Sequence, residues 1–443
     1  MDPPNSSTTD AVSFELGTPI KKDTVALEPS MVKQDPFGDE SDAGVKYKTM
    51  VWWQAGMLMI AETISLGILA LPKALSTLGL IPGVITILVV GIISSYTGYT
   101  IGTLKSRYLQ IHSMADAGDL LFGRYGRQFL GIAQVLFYLF VMGSHVLTFP
   151  IMMNVLTDHG SCTLFYSALG LLVSFILTLP RRLEKLSHLS TVSFISIVTA
   201  VLSFQTETPV LYHFSLPPAP EMHDACLAIA NIVFAYAGHV AFFTMFSELQ
   251  DINDFPRALA LLQITEMVLY TITAIVIYAY MGPSVTSPAL NPAGKLFRKI
   301  SYGIAIPTIV IGGVVNAHVG VKYIYVHMLR GTKAMYSKSM ASRAKWAAIG
   351  LVLWIISWII AEAIPVFNDV LGLAVRIHPS GSISRGNLSL TDRTELAVCQ
   401  LVHVRSAGDV LAYINRHRWF MDRNQMFFFC INVGLVFLGA IIF

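Results

Sequence analysis

Apolar residues fall in blocks of about twenty, the length an α-helix needs to cross hydrocarbon, with short polar links between them. Runs of this kind cover residues 51–78, 81–104, 129–156, 163–179, 189–204, 225–249, 258–281, 300–329 and 346–364. A further run starts at Val366 and fails after Val375, and a last one covers 426–443. The pattern predicts an all-α polytopic membrane protein with about eleven transmembrane helices. Ahead of the first run, residues 1–47 carry Asp, Glu, Ser and Pro without the apolar centre of a signal peptide. They read as a disordered tail, so targeting falls to the first apolar run, uncleaved.

Two runs are interrupted at matching places. The first reads AETISLGILALP, with Ser65 and Gly67 near its middle and Pro72 one turn on. The sixth reads NIVFAYAGHVAFFTMFSEL, with Ala237, Gly238 and His239 at its centre. They lie five runs apart, as corresponding members of a five-plus-five arrangement would, and such a pair is the best sequence pointer to a transporter site. A helix unwound in the bilayer exposes N–H and C=O groups that lipid cannot satisfy, so the break must face protein, water or a ligand. The N-terminal end of the following half-helix suits a carboxylate; the C-terminal end of the preceding one suits an ammonium group or a cation. An amino acid zwitterion carries both charges. Taken singly, each glycine is more simply explained by close helix packing. Their matched positions, beside Glu62 and His239, favour the site.

Ionisable groups inside apolar runs are costly, and so are informative about mechanism. Glu62 fits a carrier of a coupling proton, or equally a structural carboxyl that caps the broken helix. His239 fits a proton relay, or a hydrogen-bonded packing histidine, which is the commoner role. His318 gives a weaker hint, and Lys322 reads as a side chain that snorkels toward the cytoplasm.

Composition agrees with the pattern. Of 443 residues, 54% are hydrophobic and 13% charged, about half the charge a soluble domain carries. The net charge of +3 comes without a basic, aromatic-studded face, which argues against nucleic acid. Lys and Arg concentrate in the links after runs two, four and eight and are absent from 157–162 and 205–224, which places the N-terminus in the cytoplasm. Lys295, Arg298 and Lys299 disagree, since they would lie outside. Cys162, Cys226, Cys399 and Cys430 are far apart and form no CxxC. A bridge between Cys162 and Cys226 at the outer surface and unpaired thiols both fit, the latter more simply. No nucleotide loop, HExxH or nucleophile elbow is present, so no catalytic residue, metal site or cofactor is expected.

The segment AETISLGILALPKA (61–74) resembles the first signature of the amino acid/auxin permease family, and FAYAGHVAFFTMFSELQDINDFPRAL (234–259) its span-six signature. MGPSVTSPAL (281–290) is similar to the outer loop after its seventh span. Within the family these residues look like the fungal neutral amino acid permeases. The resemblance covers about residues 48–375. It implies a LeuT-type fold of inverted five-helix repeats with helices 1 and 6 broken. It also implies secondary active transport of neutral amino acids, usually proton-coupled and at the plasma membrane, with a vacuolar membrane as the other location. Carried over, Ser65, Leu66 and Gly67 line the substrate carboxylate, while Tyr236, Ala237 and Gly238 line the ammonium end and the side-chain pocket. Asn316 and His318 lie where some relatives hold a cation, leaving proton or sodium open.

The chain departs from the family at its tenth helix. In place of a full apolar span, residues 376–410 form a polar, Ser/Arg-rich stretch, which reads as irregular or as a gene-model error. The organisation expected is a tail to 47, a transporter core over 48–375, this stretch, and a last helix with its lead-in over 411–443. Asn387 opens a glycosylation sequon that matters only if it faces outward, and Asn5 opens one in the tail. The competing function class is an amino acid sensor that binds without transporting. A membrane enzyme ranks third.

Overall fold

In hydrocarbon a backbone must satisfy its N–H and C=O groups within the segment, so each apolar run becomes a helix. The computed structural model describes residues 37, 45–203, 222–282, 285–291, 293–330 and 332–363. In chain order its helices are α1 (Trp52–Gly67), α2 (Leu71–Leu78), α3 (Leu80–Arg107), α4 (Met114–Thr157), α5 (Thr163–Thr178) and α6 (Leu183–Leu202). There follow α7 (Met222–Ala235), α8 (His239–Ser247), α9 (Phe255–Met281), α10 (Lys295–Leu329) and α11 (Met340–Ala363). Among the described residues, 7 helices are long and apolar enough to cross a membrane, or 8 with the bent pair α1 and α2 taken as one span; α5 is shorter. The tail to 36, the tenth run, the polar stretch 376–410, the last helix and its lead-in, and Cys399, Cys430, Asn5 and Asn387 lie outside the described residues.

The order repeats. Each half begins with an interrupted helix (α1/α2, then α7/α8), follows with one of 28 or 27 residues (α3, α9), and continues with its longest (α4 of 44 residues, α10 of 35). α4 starts well before its apolar run. Ser113 caps it by accepting from Asp116 N, and the chain kinks at Gly123, whose φ of 62° a residue with a Cβ rarely adopts.

Burial follows helical spacing. On α9, Ile264, Val268, Ile272 and Val276 face outward every fourth residue, while Leu262, Glu266, Tyr270, Ala274 and Ile277 are buried. α10 is the central helix, packed on α1, α4, α5, α6 and α11. Its glycines and the small residues Ser190, Ser193 and Ser196 of α6 let backbones approach closely, with Thr308 Oγ1 donating to Ser193 O and Ser196 Oγ to Ile304 O.

Two expectations need correction at the membrane faces. Lys322 does not snorkel: it is fully buried and pairs with Glu248, also fully buried. The chain before α1 belongs partly to the packed body. Phe37 and Tyr47 stack at 5.0 Å and are buried; Tyr47 lies 5.1 Å from Lys322 Nζ; and Met50 bridges to Leu249. Arg181 donates to Tyr47 Oη, Tyr325 Oη and Met335 O, tying this strap to α10 and the link after it. His112, beside Phe37, has its pKa held well below the ordinary histidine range by burial, with Lys105, Lys322 and Arg330 adding to the effect. On the opposite face, Asp158 accepts from Lys299 at 2.6 Å, and Lys295 lies 3.9 Å away. The Lys299 hydrogen bond draws the Asp158 pKa below its ordinary value. The basic cluster that disagreed with the loop asymmetry is therefore partly neutralised by an acid on the same face.

Candidate functional site

The first interruption is a turn over residues 68–70, after which the chain bends by 52° into α2. The turn tightens the last carbonyls of α1: Leu69 N donates to Leu66 O and Ala70 N to Gly67 O, both at 3.1 Å. Pro72 stands in the first turn of α2, where its missing N–H costs nothing. The second interruption covers 236–238, between the end of α7 and the start of α8.

The glycines bring the two breaks together. A Cβ on Gly67 would lie 2.8 Å from Ala235 Cα, and one on Gly238 would lie 2.1 Å from Thr63 Cγ2 and 2.7 Å from Glu62 Oε2. Gly238 has helical angles (φ −71°, ψ −8°), so its role is close approach, not unusual backbone geometry. Tyr270 of α9 fixes the junction from behind, donating to Ala235 O at 2.7 Å and to Thr63 O at 3.3 Å.

A cavity lies at this junction. Glu62, Ser65, Leu66, Gly67, Ala237 and Gly238 line it, along with Thr63, Phe137, Val141, Ser144, His145 and Phe234. Its free volume is about 20 Å³, room for a water. α1 and α7 end at the two interruptions, and α2 and α8 start after them.

Four expected residues do not line the cavity. Tyr236 packs edge-on against Tyr270 at 5.0 Å, with its hydroxyl toward Gly91. His239 turns to α3, where its Nε2 meets Thr97 Oγ1 at 2.8 Å and Ser94 O at 3.0 Å. His318 bonds Pro180 O at 2.7 Å and packs on Trp346, so it faces α5 and α11, away from the breaks. Asn316 donates to Gly312 O within its own helix, and its Oδ1 is buried with no hydrogen-bond partner.

Of two further ionisable residues inside apolar runs, His145 lines the cavity and Glu266 does not. His145 of α4 bonds Ile309 O at 2.7 Å through Nδ1 and Ser65 Oγ at 3.3 Å through Nε2, linking α4 and α10 to the first break. A carbonyl only accepts, so Nδ1 carries a hydrogen. Glu266 of α9 is fully buried. Thr63 lies beside it, but the Thr63 hydroxyl donates to Met59 O at 2.8 Å, and both Glu266 oxygens lack a hydrogen-bond partner. An ionisable residue inside an apolar run was the available signal for both.

This geometry has known relatives. The family described as transmembrane amino acid transporter protein matches residues 48–375. The chain belongs to this family. The N amino acid transport system protein of Neurospora crassa is 33% identical over 369 residues, covering 80% of this chain and 78% of that one. Amino acid transporter AVT1H of Arabidopsis thaliana is 24% identical over 341 residues, covering 71% and 75%. Among solved structures, MhsT in complex with L-phenylalanine aligns with a TM-score of 0.55 over 90% of this chain and 98% of that one. At 12% identity that likeness concerns the fold alone, and it agrees with a LeuT-type arrangement. As a member of the family, this chain is a multi-pass membrane transporter of amino acids.

Proposed function

We propose that the protein is a proton-coupled transporter of neutral amino acids at the plasma membrane, with its N-terminus in the cytoplasm. The observation that carries this reading is the composition of the cavity at the breaks. Half-helix ends supply partial charges for a zwitterion, while Phe137, Val141 and Phe234 offer an apolar wall to the side chain. No Lys or Arg lines the cavity, so an acidic side chain would find no counter-charge. Glu62 is the one carboxyl in the lining and the first candidate for the coupling proton. Ser65, Leu66 and Gly67 take the carboxylate end, and Ala237 and Gly238 the ammonium end. Tyr236 shapes the second break from outside the lining.

The test is uptake of radiolabelled L-phenylalanine into proteoliposomes, with alanine, leucine, tryptophan, lysine and glutamate as competitors, under a proton gradient or a sodium gradient. Competition by the neutral series and drive by protons support the proposal. Drive by sodium alone removes proton coupling. That alternative has one observation in its favour, the unpartnered Oδ1 of Asn316. Binding without accumulation under either gradient supports the sensor.

A further inference from the structure

Glu62 is not the only carboxyl group at the junction. Glu62 and Glu266 are buried on α1 and α9, which pack against each other, and Tyr270, one turn beyond Glu266, donates to Thr63 O, the neighbour of Glu62. Glu266 is 0% exposed and Glu62 6% exposed. Three of their four carboxyl oxygens, Glu62 Oε2 and both of Glu266, have no hydrogen-bond partner. The Tyr236 hydroxyl is also buried without a partner.

The other titratable groups facing the pair are phenols: Tyr236 at the second break, Tyr270 on α9 and Tyr138 on α4. His239 at the head of α8 turns to α3, and His145 is held by Ser65 and Ile309 O. Neither carboxyl has a Lys or Arg ion-pair partner among the described residues, whereas Glu248, also buried, has Lys322. Two buried carboxylates without a counter-ion repel each other and lose hydration; one proton between them removes most of that cost.

We propose that Glu266 shares the coupling proton with Glu62, so that the proton carrier is the carboxyl pair spanning α1 and α9. This rests on the proton-coupled reading above. The pair holds one proton more when an amino acid occupies the cavity than on the return step. The proton comes from water on one side of the membrane and returns to water on the other, and no other bond changes. The carrier thus joins the first break, which touches substrate, to a helix that does not line the cavity.

The test uses the full chain in proteoliposomes, with radiolabelled L-phenylalanine and the membrane potential clamped. With one proton per substrate, an inward gradient of one pH unit concentrates phenylalanine about tenfold in the wild type. Glu266→Gln should retain exchange of labelled for unlabelled phenylalanine within about twofold and lose gradient-driven accumulation. Accumulation by Glu266→Gln equal to wild type overturns the inference and leaves the proton reading intact. A wild type that exchanges but responds only to sodium overturns the proton reading, and the inference with it. If Glu266→Gln loses exchange as well, Glu266→Asp decides. A shift in the pH midpoint of its exchange supports the shared proton. An unmoved midpoint, or loss of exchange with normal thermal unfolding, assigns Glu266 a packing or binding role and overturns it.

Discussion

Replacing Gly67 by alanine tests the contact on which the site depends. The added methyl would sit 2.8 Å from Ala235 Cα and 3.0 Å from its Cβ, with Ala235 O at 3.4 Å. Ordinary contact begins near 3.4 Å, so the two breaks must separate by about 0.6 Å, and the obstacle is mostly backbone, which has no rotamer to give. Forcing a methyl into a packed site costs roughly 1–3 kcal/mol. If that cost falls on the occluded, substrate-holding arrangement, apparent affinity drops about 5- to 150-fold. Gly303→Ala on α10 is the control, because its Cβ would meet only Leu156 Cδ2, at 3.7 Å. The assay is uptake against substrate concentration, normalised to surface-labelled protein. Gly67→Ala should raise the half-saturating concentration by the factor above; Gly67→Leu should abolish uptake with surface expression intact; Gly303→Ala should match wild type. Wild-type uptake by Gly67→Ala and Gly67→Leu would refute the close-approach argument and remove the first break from the site.

Three further outcomes follow from the same geometry. Lys322→Met leaves the Glu248 carboxylate buried without a partner and should destabilise the protein by about 3–5 kcal/mol, read as thermal unfolding in detergent; the double variant Lys322→Met, Glu248→Gln should recover most of the loss, and an equally unstable double variant contradicts the pair. His145→Gln can keep one of the two bonds to Ser65 and Ile309 O but not both, and should cut uptake about tenfold or more at constant expression; unchanged uptake removes His145 from the site. The pKa of His112 is lower in the folded state than in the unfolded chain, so the unfolded state binds more protons as pH falls. Stability is then full above the ordinary histidine range and declines through and below it. His112→Gln should remove that decline, and parallel pH profiles for the two proteins would contradict it.

How much was legible depended on whether a feature is local. The apolar runs and the pairing of 61–72 with 231–249 follow from length and matched interruptions, and the structure interrupts the helices at 68–70 and 236–238. The first turn falls just past Gly67, where α1 ends, and α2 restarts with Pro72 in its first turn. Partnerships across the chain were not legible. Lys322 looked like a snorkelling residue because nothing in its own run shows that Glu248, 74 residues earlier, lies opposite. The bonds of His239 to the α3 polar groups and of His318 to Pro180 O likewise join distant parts of the chain, so the choice between relay and packing histidine stayed open for His239 and the hint from His318 stayed weak. Phe37 and Tyr47 were masked by the polar composition around them. Glu266 and His145 differ: the rule that singled out Glu62 applies equally to them, and only the interruptions drew attention to Glu62 first.

The most direct measurement is an experimental structure with a neutral amino acid bound, such as L-phenylalanine. The account predicts the α-carboxylate within hydrogen-bond distance of main-chain N–H groups at the first break, the ammonium against carbonyls at the end of α7 and near Glu62, and the side chain toward Phe137, Val141 and Phe234. An amino acid seated elsewhere, or residues 61–78 and 231–249 wound as unbroken helices, would contradict it.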